Sequence, residues 1–310
     1  MSKMEADAHT RAATVAAEPL ELIGQNSSFI KGSKKSLLEI WSQRELLGLL
    51  VRREVKARYK NSSLGIVWSL FRPLVQLLIY YFAIGQILGA ARAVPDFAIF
   101  VFIGLTVWSL FSEIVSSSTT SMLANAGLVK KVYLPREIFP LSSVGGALFN
   151  FLVQVVVLLI AIAVVSHFPT DARLLLAPIA VVTLVVFATA IGLVLSAVNV
   201  YLRDTEHLVE IALVVLFWMS PVVYSFTFVH HALHGNWLEQ LYLANPVTIA
   251  IIAMQKALWE AGSSATGALQ QAWPPNLELR LLLTLAVSLV LLWLAQRLFS
   301  RLQGNFAQEL

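Results

Sequence analysis

The side chains able to do chemistry are few, and their placement excludes more than it allows. Arg72, Glu113 and Glu210 are ionisable residues that fall near one end of long apolar runs. At 1.5 Å per residue, Arg72 and Glu113 come to a similar depth, about 8 Å from one membrane interface, and Glu210 is placed alike. An unpaired charge at that depth is costly, so Arg72 is expected to pair with Glu113 or Glu210 and clamp helices together. No ionisable residue sits in the middle of any apolar run, which argues against proton- or sodium-coupled transport. His230, His231 and His234 resemble a metal cluster, but the i,i+4 pair lacks the glutamate of H-E-x-x-H and has no carboxylate ligand close by, so no metal site is expected. The chain has no G-x-x-x-x-G-K-[ST] loop and no evident Ser/His/Asp arrangement. Nothing in it hydrolyses ATP, and an ATP-driven role requires a second chain.

The elements that must position these residues are membrane helices. Of the residues, 58% are hydrophobic and 13% charged, too few polar groups to cover a soluble domain. Six candidate spans lie near 67–89, 97–119, 139–165, 174–199, 207–225 and 279–299, within a transmembrane domain of 67–300. No strand alternation competes, so the class is all-α and polytopic. Cysteine is absent, which excludes disulfides and thiolate metal sites. Residues 1–36 read as a polar, disordered cytoplasmic tail and 301–310 as the cytoplasmic C-terminus.

Charge sets the orientation. With the N-terminus inside, the cytoplasmic side holds the N-terminal basic cluster, Lys130, Lys131, Arg136, Arg203, Arg297 and Arg301. The other side receives Arg92, Arg173, Lys256 and Arg280, so both termini are expected in the cytoplasm. The stretch between spans five and six is then external, and its apolar run 246–254 is too short to cross. A re-entrant or interfacial helix pair is expected there, with Asn245-Pro246 starting its second helix.

Before the first span, residues 37–66 form an expected interface segment. Projected as a helix, Leu46, Leu47, Leu50, Val51, Val55 and Tyr59 share one face, and Arg52, Arg53, Lys56 and Lys60 take the other. Such a helix can lie on anionic lipid or dock a cytoplasmic partner. Neutral polar residues inside the spans, Gln76, Gln86, Asn150 and Gln154, can join helices or meet sugar hydroxyls.

Three segments together resemble the membrane subunits of ABC type-2 polysaccharide exporters, which move O-antigen, teichoic acid and galactan precursors. One runs from Leu50-Val51-Arg52-Arg53-Glu54-Val55-Lys56 through Asn61-Ser62-Ser63-Leu64-Gly65 to Trp68 and Arg72-Pro73. Another is Leu128-Val129-Lys130-Lys131-Val132-Tyr133-Leu134-Pro135-Arg136-Glu137. The last pairs Tyr201-Leu202-Arg203-Asp204 with Asn245-Pro246.

The resemblance implies a non-catalytic permease working as a homodimer with two ATP-binding cassette subunits, on which ATP and Mg are bound. It implies that 124–137 is a coupling helix and that 226–270 caps the exit. The partner-facing residues would be Arg52, Arg53, Lys56, Lys60, Lys130, Lys131, Tyr133 and Arg136. The cargo would be a polyprenyl-diphosphate glycan, with Arg53 and Arg72 placed to receive the diphosphate. Sugars stack on aromatic faces, so Tyr80, Tyr81, Phe82, Trp108, Phe217, Trp218 and Tyr224 are candidates for the path. Pro221 would break the fifth helix near the exit. The rival readings are an ion-coupled carrier and a membrane-embedded glycosyl- or acyltransferase; the former wants midplane carboxylates and the latter a charged interfacial cluster.

Overall fold

The computed structural model describes residues 38–59, 67–131, 134–165, 168–233, 236–264, 266 and 270–310. The expected tail at 1–36, Lys60, Tyr133 and His234 lie outside the described residues, as do the side chains of Arg58, Tyr59 and Arg72.

Among the described residues the chain is helical, with no strand. Helix α1 spans Arg44–Tyr59 and α2 spans Val67–Tyr80. α2 passes into a wide π turn, Tyr81–Ile87, and stops at Gly89, whose φ of 77° is cheap only for glycine. Then come α3 (Phe97–Ala124), α4 (Ala126–Lys131), α5 (Ile138–Val165), α6 (Leu176–Tyr201) and α7 (Thr205–Trp218). Three shorter helices follow, α8 (Phe226–Leu233), α9 (Trp237–Leu243) and α10 (Pro246–Leu258), then the single turn α11 (Glu260–Ser263). The long α12 (Leu277–Leu302) leads to a 3-10 turn, Gln303–Asn305, and to α13 (Phe306–Glu309).

Four helical stretches are long and apolar enough to cross a membrane: Phe97–Ala124, Ile138–Val165, Ala172–Tyr201 and Leu277–Asn305. They coincide with four of the six expected spans. The other two differ. Residues 67–87 are divided between α2 and the π turn, and α7 ends at Trp218 after 14 residues, about 21 Å at 1.5 Å per residue, against a hydrocarbon core of about 30 Å. Pro221 explains the early stop, since it lacks the N–H a continuing helix needs and disfavours helical geometry at Ser220. α9 and α10 form a pair bent by 79°, a broken span or a re-entrant loop. Asn245 caps α10 by accepting from Val247 N at 3.0 Å, and Pro246 is its first residue, as that dipeptide predicts.

α3 is the central element. It packs on α5, α6, α7, α2 and α10, and 78% of its most apolar stretch is buried, against 17% for α12 at the edge. The α3–α6 crossing is close because both sides are small: a Cβ added at Gly192 would come within 2.7 Å of Ser118 Cβ. Asn199 Nδ2 reaches across it to the Thr119 carbonyl at 3.0 Å. α10 is wedged against α3, α6 and α12, and its residues from Val247 to Gln255 are buried. A second apolar cluster gathers at the end that carries Arg52, Lys56, Lys130 and Lys131, here termed the basic end; it joins Leu50, Met122, Val129, Ile138, Phe139, Leu193, Phe299 and Phe306.

Candidate functional site

At the basic end, α1 is packed on the bundle as well as being amphipathic. Leu50 enters the apolar cluster, and Val51 lies against Gly145, where an added Cβ would meet Val51 Cγ2 at 2.5 Å. Glu54 lies over Gly146, 3.4 Å from where a Cβ would stand. These paired glycines of α5 let the α1 backbone approach, as small residues do between membrane helices. Arg53 donates to Asn125 Oδ1, and Asn125 donates through Nδ2 to the Ser121 carbonyl at 2.8 Å. The turn between α3 and α4 is therefore tied to α1.

The side chains of Arg52, Arg53, Lys56, Lys130 and Lys131 are exposed. Arg53 is held by Asn125, and Arg52, Lys56, Lys130 and Lys131 make up the exposed basic face that α1 and α4 present. Arg136 is half-buried, with its guanidinium carbon 5.8 Å from the Phe306 ring centroid. Sequence reasoning missed Phe306, because a lone aromatic among polar terminal residues carries no periodic signal.

Within the bundle, Asn150 Nδ2 donates to Glu113 Oε1 at 2.6 Å. Asn150 is buried, so the carboxylate of α3 is fixed to α5 by a charge-assisted bond. Glu210 is 65% exposed and lies 3.7 Å from His207 on its own helix. The side chain of Arg72 lies outside the described residues, and with it the expected ion pair. Gln154, one turn beyond Asn150, is buried with no hydrogen-bond partner at its Oε1.

The seven candidate aromatics divide. Tyr80 stacks on Phe217 at 5.8 Å, and Phe217 meets Trp108 edge-on at 5.4 Å, so α2, α7 and α3 converge on one aromatic cluster. Trp108 continues to Phe111 at 5.5 Å and Phe111 to Phe187 at 6.2 Å, two rings the sequence did not single out. Tyr81 and Phe82 pair edge-on at 5.5 Å. Phe82 is 58% and Trp218 55% exposed, on the outer flank of the cluster. Tyr224 donates to the Trp218 carbonyl at 2.9 Å, closing the helix break, and receives Tyr242 OH at 3.4 Å.

In that break, from Met219 to Ser225, Ser220 to Val223 and Ser225 are buried and held by neighbours. Gln255 Nε2 donates to the Pro221 carbonyl at 2.9 Å. At Gly104 the α3 backbone touches the Val222 carbonyl so closely that a Cβ has no space. Ser225 and Thr227 donate to Gln271 Oε1 at 2.8 and 3.1 Å, and Gln271 Nε2 reaches the Ala93 carbonyl at 3.1 Å. Trp259 Nε1 donates to the Pro95 carbonyl at 2.8 Å. This end of the bundle is thus cross-linked from four separate loops.

The histidine reading needs one correction. No carboxylate was expected near these residues, yet the turn between α8 and α9 brings Glu239 Oε1 to 2.8 Å from His230 Nδ1. Among the described residues no group of three His, Cys, Asp or Glu is disposed to hold a metal ion.

Residues 45–259 match the family described as ABC-2 type transporter, and the chain belongs to this family of transporter membrane proteins. All three segments that carried the resemblance lie inside the match. The O-antigen export system permease protein RfbA of Myxococcus xanthus is 30% identical over 273 residues, covering 88% of this chain and 98% of that protein. An RfbA of Klebsiella pneumoniae is 29% identical over 181 residues, 58% of this chain and 69% of that one. The polysialic acid transport protein KpsM of Escherichia coli is 24% identical over 222 residues, 70% and 82% of the two chains.

Proposed function

We propose that this chain is the membrane subunit of an ATP-driven exporter that moves a polysaccharide across the inner membrane of a bacterium. The observation that carries the reading is the near end-to-end match to the Myxococcus xanthus O-antigen export permease, which covers 98% of that protein. The cargo is a glycan on a polyprenyl diphosphate, of the O-antigen, galactan or teichoic-acid kind. ATP and Mg are bound and consumed on a separate cassette subunit, two of which serve a homodimer of this chain.

In this reading the chain crosses six times with both termini in the cytoplasm. α2 with its π turn, and α7 with the break after it, supply the two crossings that are not single long helices. α1 and the segment 124–137 receive the ATPase. The support is physical: α1 is seated on α5 through Gly145 and Gly146, tied to Asn125, and presents Arg52, Lys56, Lys130 and Lys131 outward. A force on that face has a packed route into α3 and α5. The exposed rings of Phe82 and Trp218 flank α2 and α7 and are available to a passing sugar, whereas Trp108 and Phe217 are buried behind them. Arg53 and Arg72 lie on the inner-leaflet side, where a diphosphate headgroup arrives.

The test is co-expression with an ATP-binding cassette subunit from the same genome. A stable complex whose hydrolysis drives export of lipid-linked glycan is expected. Export that survives deletion of the ATPase, with no complex recovered, would overturn the proposal.

A further inference from the structure

The residues that follow α12 do not trail away. A four-residue helix has no stability of its own. α13 is nevertheless in place, because Phe306 is fully buried at the basic end. Its ring meets Phe299 of α12 edge-on at 5.5 Å and Tyr201 at the end of α6 at 5.8 Å. The Arg136 guanidinium covers it at 5.8 Å. Tyr201 OH donates to the Leu302 carbonyl at 2.7 Å, satisfying one of the acceptors that the end of α12 leaves open. One turn back, Ser300 Oγ donates to Glu137 Oε1 at 3.3 Å and receives Gln296 Nε2 at 3.1 Å. Glu137 is buried there, 3% exposed.

Two adjacent residues ahead of α5, Arg136 and Glu137, are thus held by the C-terminal end of the chain. We infer that the C-terminal hook, from Gln303 to Leu310, is a positioning device for the segment that receives the ATPase, with Phe306 acting through Arg136. The inference rests on the proposed role of residues 124–137. Arg136 combines a charge with long, rotatable reach; the aromatic face gives it a surface to dock on, and the Glu137–Ser300 bond ties the neighbouring side chain to α12. A displacement of this segment then moves two rods at once. One is α5, which begins at Ile138; the other is α12, whose far end meets α10 through Lys256 Nζ and Glu278 Oε1 at 2.9 Å.

The experiment has two arms. In the first, hydrogen exchange over residues 134–141 is followed in the detergent-solubilised full chain alone, for wild type, Phe306→Ala, Phe306→Leu and Phe306→Trp. Exchange is expected to rise about tenfold in Phe306→Ala, to stay near wild type in Phe306→Trp, and to fall between in Phe306→Leu, which fills space without a π face. Unchanged exchange in Phe306→Ala overturns the positioning role, and Leu equal to Trp overturns the aromatic–guanidinium contact as its cause. In the second arm, the glycan exported per ATP hydrolysed is measured for the complex reconstituted with saturating ATPase. A fall of about tenfold in Phe306→Ala with recovery in Phe306→Trp is expected. A ratio equal to wild type overturns the functional half. If wild type binds no ATPase, the proposed function fails, while the exchange arm still decides what Phe306 positions.

Discussion

Asn150 of α5 holds Glu113 of α3 through a 2.6 Å hydrogen bond that joins the two helices. A carboxylate close to the hydrocarbon is tolerated when it accepts from a fixed donor, and here the donor is itself buried.

Replacing Asn150 with Leu removes that donor and leaves the carboxylate less satisfied. The expected cost is about 1–3 kcal/mol of stability. Adding Glu113→Gln is expected to recover part of it, because a neutral amide is cheaper to leave unpaired than a charge. Thermal unfolding of the single and double variants in detergent checks this. Equal, additive losses would contradict the contact's importance.

Gly104→Ala places a methyl against the Val222 carbonyl, which is backbone and cannot rotate away. A loss of about 1–3 kcal/mol is expected, together with looser packing of the Met219–Ser225 break. Gly48→Ala is the control: nothing lies near its added Cβ, and α1 should gain about 0.5–1 kcal/mol. A matched pair of melting curves reads both.

Gln255→Leu keeps volume but takes the donor from the Pro221 carbonyl. That carbonyl sits in the break, where no helical N–H replaces it. The variant is expected to lose about 1–3 kcal/mol and to show faster hydrogen exchange around residues 219–225. Gln255→Glu, which offers no donor when ionised, is expected to behave no better.

Reversing the exposed charges Arg52, Lys56, Lys130 and Lys131 to Glu is expected to weaken capture of the ATPase at least about tenfold while leaving the chain folded. The wild-type affinity should in turn fall as salt is raised. Co-purification across a salt series measures both, and salt-independent binding by wild type, or undiminished binding by the variant, would contradict an electrostatic dock.

Much of this architecture is legible in the residues alone, for a definite reason. Twenty or more apolar residues in a row admit one solution in lipid, so α3, α5, α6 and α12 are read directly. Hydropathy reports composition and not the path of the backbone, which is why the apolar run through Tyr224 conceals the stop at Trp218 and the π turn after Tyr80. Asn245-Pro246 was informative because a cap and an N1 proline are local chemistry. The contacts among Trp108, Phe111, Phe187 and Phe217 were not, since they depend on which faces of three helices meet. Glu239 beside His230 and Phe306 beneath Arg136 belong to the same class: pairs made by turns whose geometry no spacing rule encodes.

The burial of α10 has a bearing on how the chain is made. A helix sheltered by protein from Val247 to Gln255 gains little from contact with lipid, so its neighbours, not the bilayer, must draw it inward. α3 and α6 are synthesised before it, but α12, which packs against it as well, leaves the ribosome after it. Until then α10 has an open side and its Lys256 lacks Glu278. The order of biogenesis is therefore written into the packing: α10 is closed in only once α12 has emerged, and a nascent chain halted before Leu277 carries an uncovered helix that membrane quality control can recognise.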